Sequence, residues 1–176
     1  MSTSTSPELA APHPLKAGDS FPDGVKFTYV PYTPEKEAIT SCGVPQQFNA
    51  SQEFANKKAV LVAVPGAFTP GCSVRHLPGF IDHLSEIKSK GVDVVAVIAF
   101  NDPWVMSAWA KANGIKDEIL FMTDIDIRFS KDIGWTKGDR AGRYAVIIDH
   151  GKITYAQNEP GGDVTVSGVD AVLKAL

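Results

Sequence analysis

Hydrophobic positions recur along the chain with two periods. Ala59-Val60-Leu61-Val62-Ala63-Val64 and Val92-Asp93-Val94-Val95-Ala96-Val97-Ile98-Ala99-Phe100 are apolar and β-branched, and read as buried strands. The second is long enough to be central. Val25, Phe27 and Tyr29 alternate through an early strand over 25–31, and 119–123 is a short one. Residues 143–149 and 152–157 flank His150-Gly151 and form a hairpin. Between the strands the period lengthens. Leu77, Phe80, Ile81, Leu84 and Ile87 share one helical face, with Pro78 expected to kink its first turn and Gly91 to end it. Asn101-Asp102-Pro103 starts a helix whose buried face is read as Val105, Ala108, Trp109 and Ala112. Trp109 is assigned to the core and Trp104 to the surface or a dimer contact. A short helix within 124–135 turns Ile127 and Ile133 inward. Ser167-Gly168-Val169-Asp170 has the look of a capping box, and Val169, Val172, Leu173 and Leu176 line the last helix.

Two stretches lack a period. Residues 33–49 read as a loop or short edge structure, and 134–142 as a polar, Gly-rich loop. The order is strand, strand, helix, strand, helix, strand, helix, hairpin, helix. Such alternation followed by an antiparallel pair predicts an α/β fold, a mixed β-sheet with helices on both faces.

Composition narrows the partners. The chain of 176 residues suits one domain with a real core. Residues 1–15, rich in Ser, Thr, Pro and Ala, read as a disordered tail before a domain over 16–176. The formal net charge of −3 offers no attraction to nucleic acid or to an anionic membrane. No apolar run approaches the roughly 18 residues of a membrane span. The first residues carry neither a basic, apolar leader nor the arginines of a transit peptide, and the chain ends Lys174-Ala175-Leu176 rather than in a peroxisomal Ser-Lys-Leu. The expected setting is reducing and cytoplasmic.

The candidate chemistry lies in Pro65-Gly66-Ala67-Phe68-Thr69-Pro70-Gly71-Cys72, which joins the first buried strand to the first helical pattern. Amides at a helix start lack intrahelical partners and favour negative charge, so a thiolate there is stabilised. A free thiol titrates near 8.5, and a helix start contributes only about 0.3–1 kcal/mol, so a cation is expected as well. The arginines on offer are Arg75, Arg128, Arg140 and Arg143. A buried structural cysteine is the competing reading. Cys42 and Cys72 are the only cysteines; their spacing suits no metal site, no cofactor is expected, and Thr69 stands where a Cys-x-x-Cys pair would need its first cysteine.

Pro-x-x-x-Thr-x-x-Cys at Pro65, Thr69 and Cys72 resembles the peroxiredoxin active-site signature. The longer Pro65–Phe80 string, with Ser73, His76 and Pro78-Gly79-Phe80, is similar to the type II, peroxiredoxin-5-like subfamily and its fungal members. The resemblance covers about 16–176. It implies a thioredoxin-like fold and reduction of hydrogen peroxide or alkyl hydroperoxides by Cys72 without metal or haem. It puts the active-site arginine at Arg143, with Arg140 a near rival, and gives Thr69 a hydrogen bond to sulfur or peroxide and Pro65 a pocket-shaping role. His76 is read as a packing or orienting residue, with proton transfer as the other option. The resemblance also implies that Cys42, at an accessible position, resolves the oxidised Cys72 from the other subunit of a homodimer, with thioredoxin or glutaredoxin as reductant. A semi-buried free Cys42 and direct reduction of Cys72 by external thiols stay open. No cysteine follows Cys72, which departs from type II members that carry a resolving cysteine after the arginine. A peroxide sensor passing oxidation to client proteins, and a non-catalytic thioredoxin-fold module, are the other classes in play.

Overall fold

The computed structural model describes residues 11–176. The strands are β1 (Lys26–Tyr29), β2 (Gln46–Asn49), β3 (Lys58–Ala63), β4 (Val94–Ala99), β5 (Leu120–Thr123), β6 (Thr136–Lys137), β7 (Arg140–Ala141), β8 (Tyr144–Asp149) and β9 (Lys152–Asn158). The helices are α1 (Ala50–Glu53), α2 (Leu77–Asp82), α3 (Leu84–Ser89), α4 (Pro103–Ala112), α5 (Arg128–Asp132) and α6 (Val169–Ala175), and a π-helical turn over Gly71–His76 leads into α2. Seven strands form one sheet in the order β2-β1-β5-β4-β3-β8-β9, while β6 and β7 make a separate ribbon. β4 is the middle strand, as its apolar length predicts.

The sheet is mixed. β3, β4 and β5 are parallel, and β8 runs antiparallel to β3 with Ala63 opposite Tyr144. Alternation along β3 sends Val60 and Val62 to one face and Ala59, Leu61 and Ala63 to the other. The first face packs on α2, α3, α4 and α6 through Leu77, Phe80, Ile87, Met106, Trp109 and Val172. The second packs on α1 and α5 through Ala50, Phe129 and neighbouring aromatics. Helices therefore cover both faces, and the fold is thioredoxin-like.

Of the two readings of residues 33–49, the edge structure holds at their end, where β2 pairs with β1. Other local readings change. The polar loop 134–142 folds into the β6–β7 ribbon. α4 is rotated from its expected face: Met106 and Ala110 join Trp109 inside, while Ala112 is exposed. Trp104 is exposed, and its indole N–H donates to the Gly43 carbonyl. Ser167 does not cap α6, because its hydroxyl is bonded to Glu159 and the cap position falls on Gly168. Most of the tail read over 1–15 lies outside the described residues. At its end Leu15 is buried and the His13 amide donates to the Asp132 carbonyl, so contact with the body begins before Lys16.

Pro78 produces an irregularity just ahead of itself. It has no N–H to donate, and the Leu77 amide reaches back five residues to the Cys72 carbonyl instead of four. The helix then breaks again at His83, between α2 and α3.

Candidate active site

The topology brings three chain segments to one end of the sheet. Pro65 follows β3, Asn101 follows β4, and Arg143 precedes β8. Because β8 is antiparallel to β3, its beginning lies beside the end of β3. Loops beyond the carboxyl ends of parallel strands are where open α/β sheets place their ligands.

Cys72 is the second residue of the π-helical turn and has 0% of its surface exposed. Its neighbour Ser73 is held from α4, where Trp109 donates its indole N–H to the Ser73 hydroxyl at 3.1 Å. Asn101 fixes the preceding loop: its side-chain oxygen accepts the Ala67 amide at 2.8 Å. Thr69 donates its hydroxyl to the Gly66 carbonyl at 2.7 Å and makes no bond to the sulfur. That hydrogen is spent within the loop, so in this arrangement the Thr69 oxygen is left to accept.

Arg143 is 8% exposed and reaches the sulfur across 71 residues of sequence: its Nη2 donates to Cys72 Sγ at 3.4 Å. Gly71 makes this approach feasible, since a Cβ there would lie 3.0 Å from the same Nη2. The other guanidinium nitrogen, Nη1, donates to His76 Nδ1 at 2.9 Å. Arginine has only donors, so Nδ1 accepts and the ring proton sits on Nε2, which donates to the Ser167 carbonyl at 2.8 Å. The chain of bonds continues to Glu159, whose carboxylate accepts from the amides and hydroxyls of Thr165 and Ser167. These four bonds hold the Glu159 carboxyl below its usual range against the opposing effect of burial. His76 thus orients the guanidinium, which matches the packing and orienting role. Glu159 stands behind it with no motif that would single it out, and Ser167 belongs to a capping-box pattern that points to a different role.

Burial, first, and the adjacent Arg143 charge push the His76 pKa down from 6.5 to about 4, while its bond to Ser167 acts the other way. The folded protein therefore keeps this ring neutral in a range where the unfolded chain protonates it. Stability from this site is complete above pH 6.5 and is lost as pH falls from there toward 4. A shift of this size is worth about 3 kcal/mol. We expect urea unfolding at pH 7 and pH 4.5 to show that loss, and a His76→Asn protein to lose markedly less between the same two pH values.

Arg140, the near rival, does not reach the sulfur. Its guanidinium lies over the Phe100 ring, 4.5 Å from the centroid. Pro65 lines a cavity of about 340 Å³ behind Arg143, together with Lys137, Gly142, Asn158 and Glu159. A larger cavity, about 760 Å³ beside His13 and Ile125, is lined by Arg128 but by none of Cys72, Thr69, Pro65, Arg143 or Cys42. Cys42 is exposed on the loop before β2, and both cysteines are free. The loop is held by α4, from which Lys111 Nζ donates to the Ser41 carbonyl at 2.9 Å and the Ala38 carbonyl at 3.2 Å. Cys72, Thr69, Pro65 and Arg143 are thus assembled at one end of the sheet, and Cys42 is not joined to them within one chain.

The family model described as Redoxin matches residues 16–173. Peroxiredoxin Pen c 3 of Penicillium citrinum is 55% identical over 165 residues, covering 92% of this chain and 99% of that protein. The chain belongs to the peroxiredoxins. Among solved structures, reduced Prx3 of Vibrio vulnificus in complex with H2O2 is similar, with a TM-score of 0.79, 35% identity and coverage of 92% of this chain and 98% of the other. Peroxiredoxin 5 from Alvinella pompejana gives a TM-score of 0.72 at 30% identity, covering 92% and 97%. The type II, peroxiredoxin-5-like resemblance of the sequence agrees with these neighbours. Peroxiredoxins are thiol peroxidases, and this chain is therefore an oxidoreductase. Among the described residues no helix is long and apolar enough to cross a membrane.

Proposed function

We propose that this peroxiredoxin reduces hydrogen peroxide and alkyl hydroperoxides through Cys72, in a cycle completed by Cys42. The observation that carries the reading is the Arg143 Nη2–Cys72 Sγ contact of 3.4 Å in a buried site at a helix start. A fixed positive donor there favours the anionic sulfur and the charge that develops as the O–O bond breaks. The thiolate lone pair attacks the terminal peroxide oxygen. The O–O bond breaks, and its electron pair leaves with the second oxygen, which takes a proton to become water or an alcohol. The sulfur loses two electrons and becomes a sulfenic acid. The Thr69 oxygen, free to accept, holds the peroxide O–H, and Pro65 closes the pocket on one side.

Cys42 then attacks the sulfenic sulfur, forming the disulfide and releasing water. We assign the attacking Cys42 to the second copy of a homodimer, as the resemblance to fungal peroxiredoxins implies; Cys42 is exposed and both cysteines are free. Thioredoxin or glutaredoxin then restores both thiols by exchange. Two free cysteines suit the reducing cytoplasm, and the role is peroxide removal.

The test is stopped-flow peroxide consumption by the reduced protein beside a Cys42→Ser variant, with non-reducing mass analysis of the products. Wild type is expected to yield chains linked Cys42 to Cys72. The variant is expected to complete its first turnover at a rate within about twofold of wild type, yet to stop at the sulfenic acid. Normal continued turnover of the variant with thioredoxin, or with glutathione plus glutaredoxin, removes Cys42 from the cycle. Wild type reacting no faster than a free thiol removes the peroxidase reading.

A further inference from the structure

Three guanidinium groups converge on the loop that carries Cys72. A Cβ placed on Gly66 would lie 2.7 Å from Arg140 Nη1 and 3.1 Å from Thr69 Cγ2. A Cβ placed on Gly71 would lie 3.0 Å from Arg143 Nη2 and 3.7 Å from Arg75 Nη2. Arg140 and Arg75 therefore flank the stretch that holds Thr69 and Cys72, one at each glycine. Arg143 is committed to His76 and the sulfur. Arg140 and Arg75 have no such commitment: among the described residues neither forms an ion pair or a side-chain hydrogen bond. Arg140 is nevertheless held in place, stacked on Phe100 and anchored in the β7 strand of the ribbon.

Like charges gathered at one rim repel, and the chain as a whole is acidic at −3. A single thiolate accounts for Arg143; Asp126 and Asp139 line the cavity beside Phe100, but among the described residues neither is ion-paired with Arg140, and Arg75 has no ion pair. The planar donor forks of Arg140 and Arg75 match a carboxylate. We propose that Arg140 and Arg75 form a carboxylate subsite at the mouth of the peroxide pocket, so that hydroperoxides bearing a carboxylate are preferred over neutral ones. The inference rests on the peroxidase reading and adds a substrate class to it. The reacting end of such a molecule lies at Cys72 and Arg143. Its carboxylate lies at the Gly66 side, under Arg140, with Arg75 adding to the local positive field.

The experiment uses the reduced full chain and two tertiary alkyl hydroperoxides, one ending in a carboxylate and the other in its methyl ester. Second-order rates are measured for both, and for hydrogen peroxide, by stopped-flow. The acid is expected to react about fivefold faster than the ester, or more, at low ionic strength. The advantage is expected to shrink toward one in about 1 M salt, where the screening length is about 3 Å. Arg140→Gln removes most of the acid-to-ester ratio, Arg75→Gln removes a smaller part, and Arg140→Lys keeps some of it. Because the ratio is taken within each variant, a general loss of reactivity cancels.

A wild-type ratio of one or less overturns the proposal. So does a ratio preserved in both glutamine variants. A ratio unchanged in Arg140→Gln, with both rates lowered equally and recovered at higher pH, assigns Arg140 to the thiolate and also overturns it. If hydrogen peroxide and both organic hydroperoxides fail alike, the peroxidase reading falls and takes this proposal with it. Failure of the ratio alone leaves that reading standing.

Discussion

A Cys72→Ser protein is expected to consume peroxide at least about three orders of magnitude more slowly than wild type, leaving only the reactivity of an ordinary thiol. A serine hydroxyl accepts the Arg143 donor but has no lone pair that a peroxide oxygen can oxidise. The remaining thiol, Cys42, is exposed, donates weakly to the Thr40 carbonyl at 3.9 Å, and receives no guanidinium donor among the described residues. Mass analysis after brief peroxide exposure checks the assignment: a Cys42→Ser protein should gain one oxygen atom, and the same protein with Cys72→Ser added should gain none. Burying a hydroxyl at a site with no exposed surface carries its own cost of about 1–3 kcal/mol where the hydrogen bond is imperfect. Cys72→Ala serves as the companion variant, and the two should be equally inactive. Substantial peroxide consumption by either would move the chemistry away from Cys72.

Replacing Arg143 by glutamine is the second large effect. The peroxide rate should fall by about 10²–10³, the usual loss when a fixed donor to developing charge is removed. Glutamine lacks the charge, and one amide cannot serve both the sulfur and His76 Nδ1. Arg143→Lys should recover little of the loss, because one ammonium cannot copy a fork that spans Nδ1 at 2.9 Å and Sγ at 3.4 Å.

The parts of this molecule legible in its sequence are those with long, one-sided patterns. β3 and β4 are runs of branched apolar residues, and Asp102 before Pro103 announces α4, where the Asp102 carboxylate accepts the amides of Trp104 and Val105. At β2 the sequence leaves loop and edge structure both open, because Gln46, Gln47 and Asn49 surround one buried phenylalanine, and four residues on a sheet edge carry too little period. The buried face of α4 lies about one residue from the one its pattern suggests, because Met106 turns inward and small alanines at 108, 110 and 112 do not say which of them does.

Ser167 looked like a cap because short hydroxyl residues favour that place, but a buried carboxylate offers it a stronger bond. Arg143 as the partner of Cys72 follows from resemblance and not from pattern. A contact between residues 71 apart depends on an antiparallel neighbour for β3, which no local period encodes. Asn101 could have been noticed as a polar residue directly after the central strand. Glu159 could not, since its role emerges only when a loop folds back upon it.

The buried sulfur imposes an order of events. The sulfur has no exposed surface, so a peroxide needs a small opening of the pocket to reach Cys72, whereas any second sulfur must approach to about 2.05 Å of it and bring its own chain along. The Gly71–His76 turn, pinned by Trp109 and by the five-residue reach of Leu77, has to come undone between oxidation and repair. Its opening time is a clock. While it runs, another peroxide is the reactant that needs the smaller opening, and its attack carries the sulfenic acid on to sulfinic acid. A tighter turn makes the molecule a recorder of peroxide dose that silences itself when the dose is high. A looser turn makes it a durable scavenger.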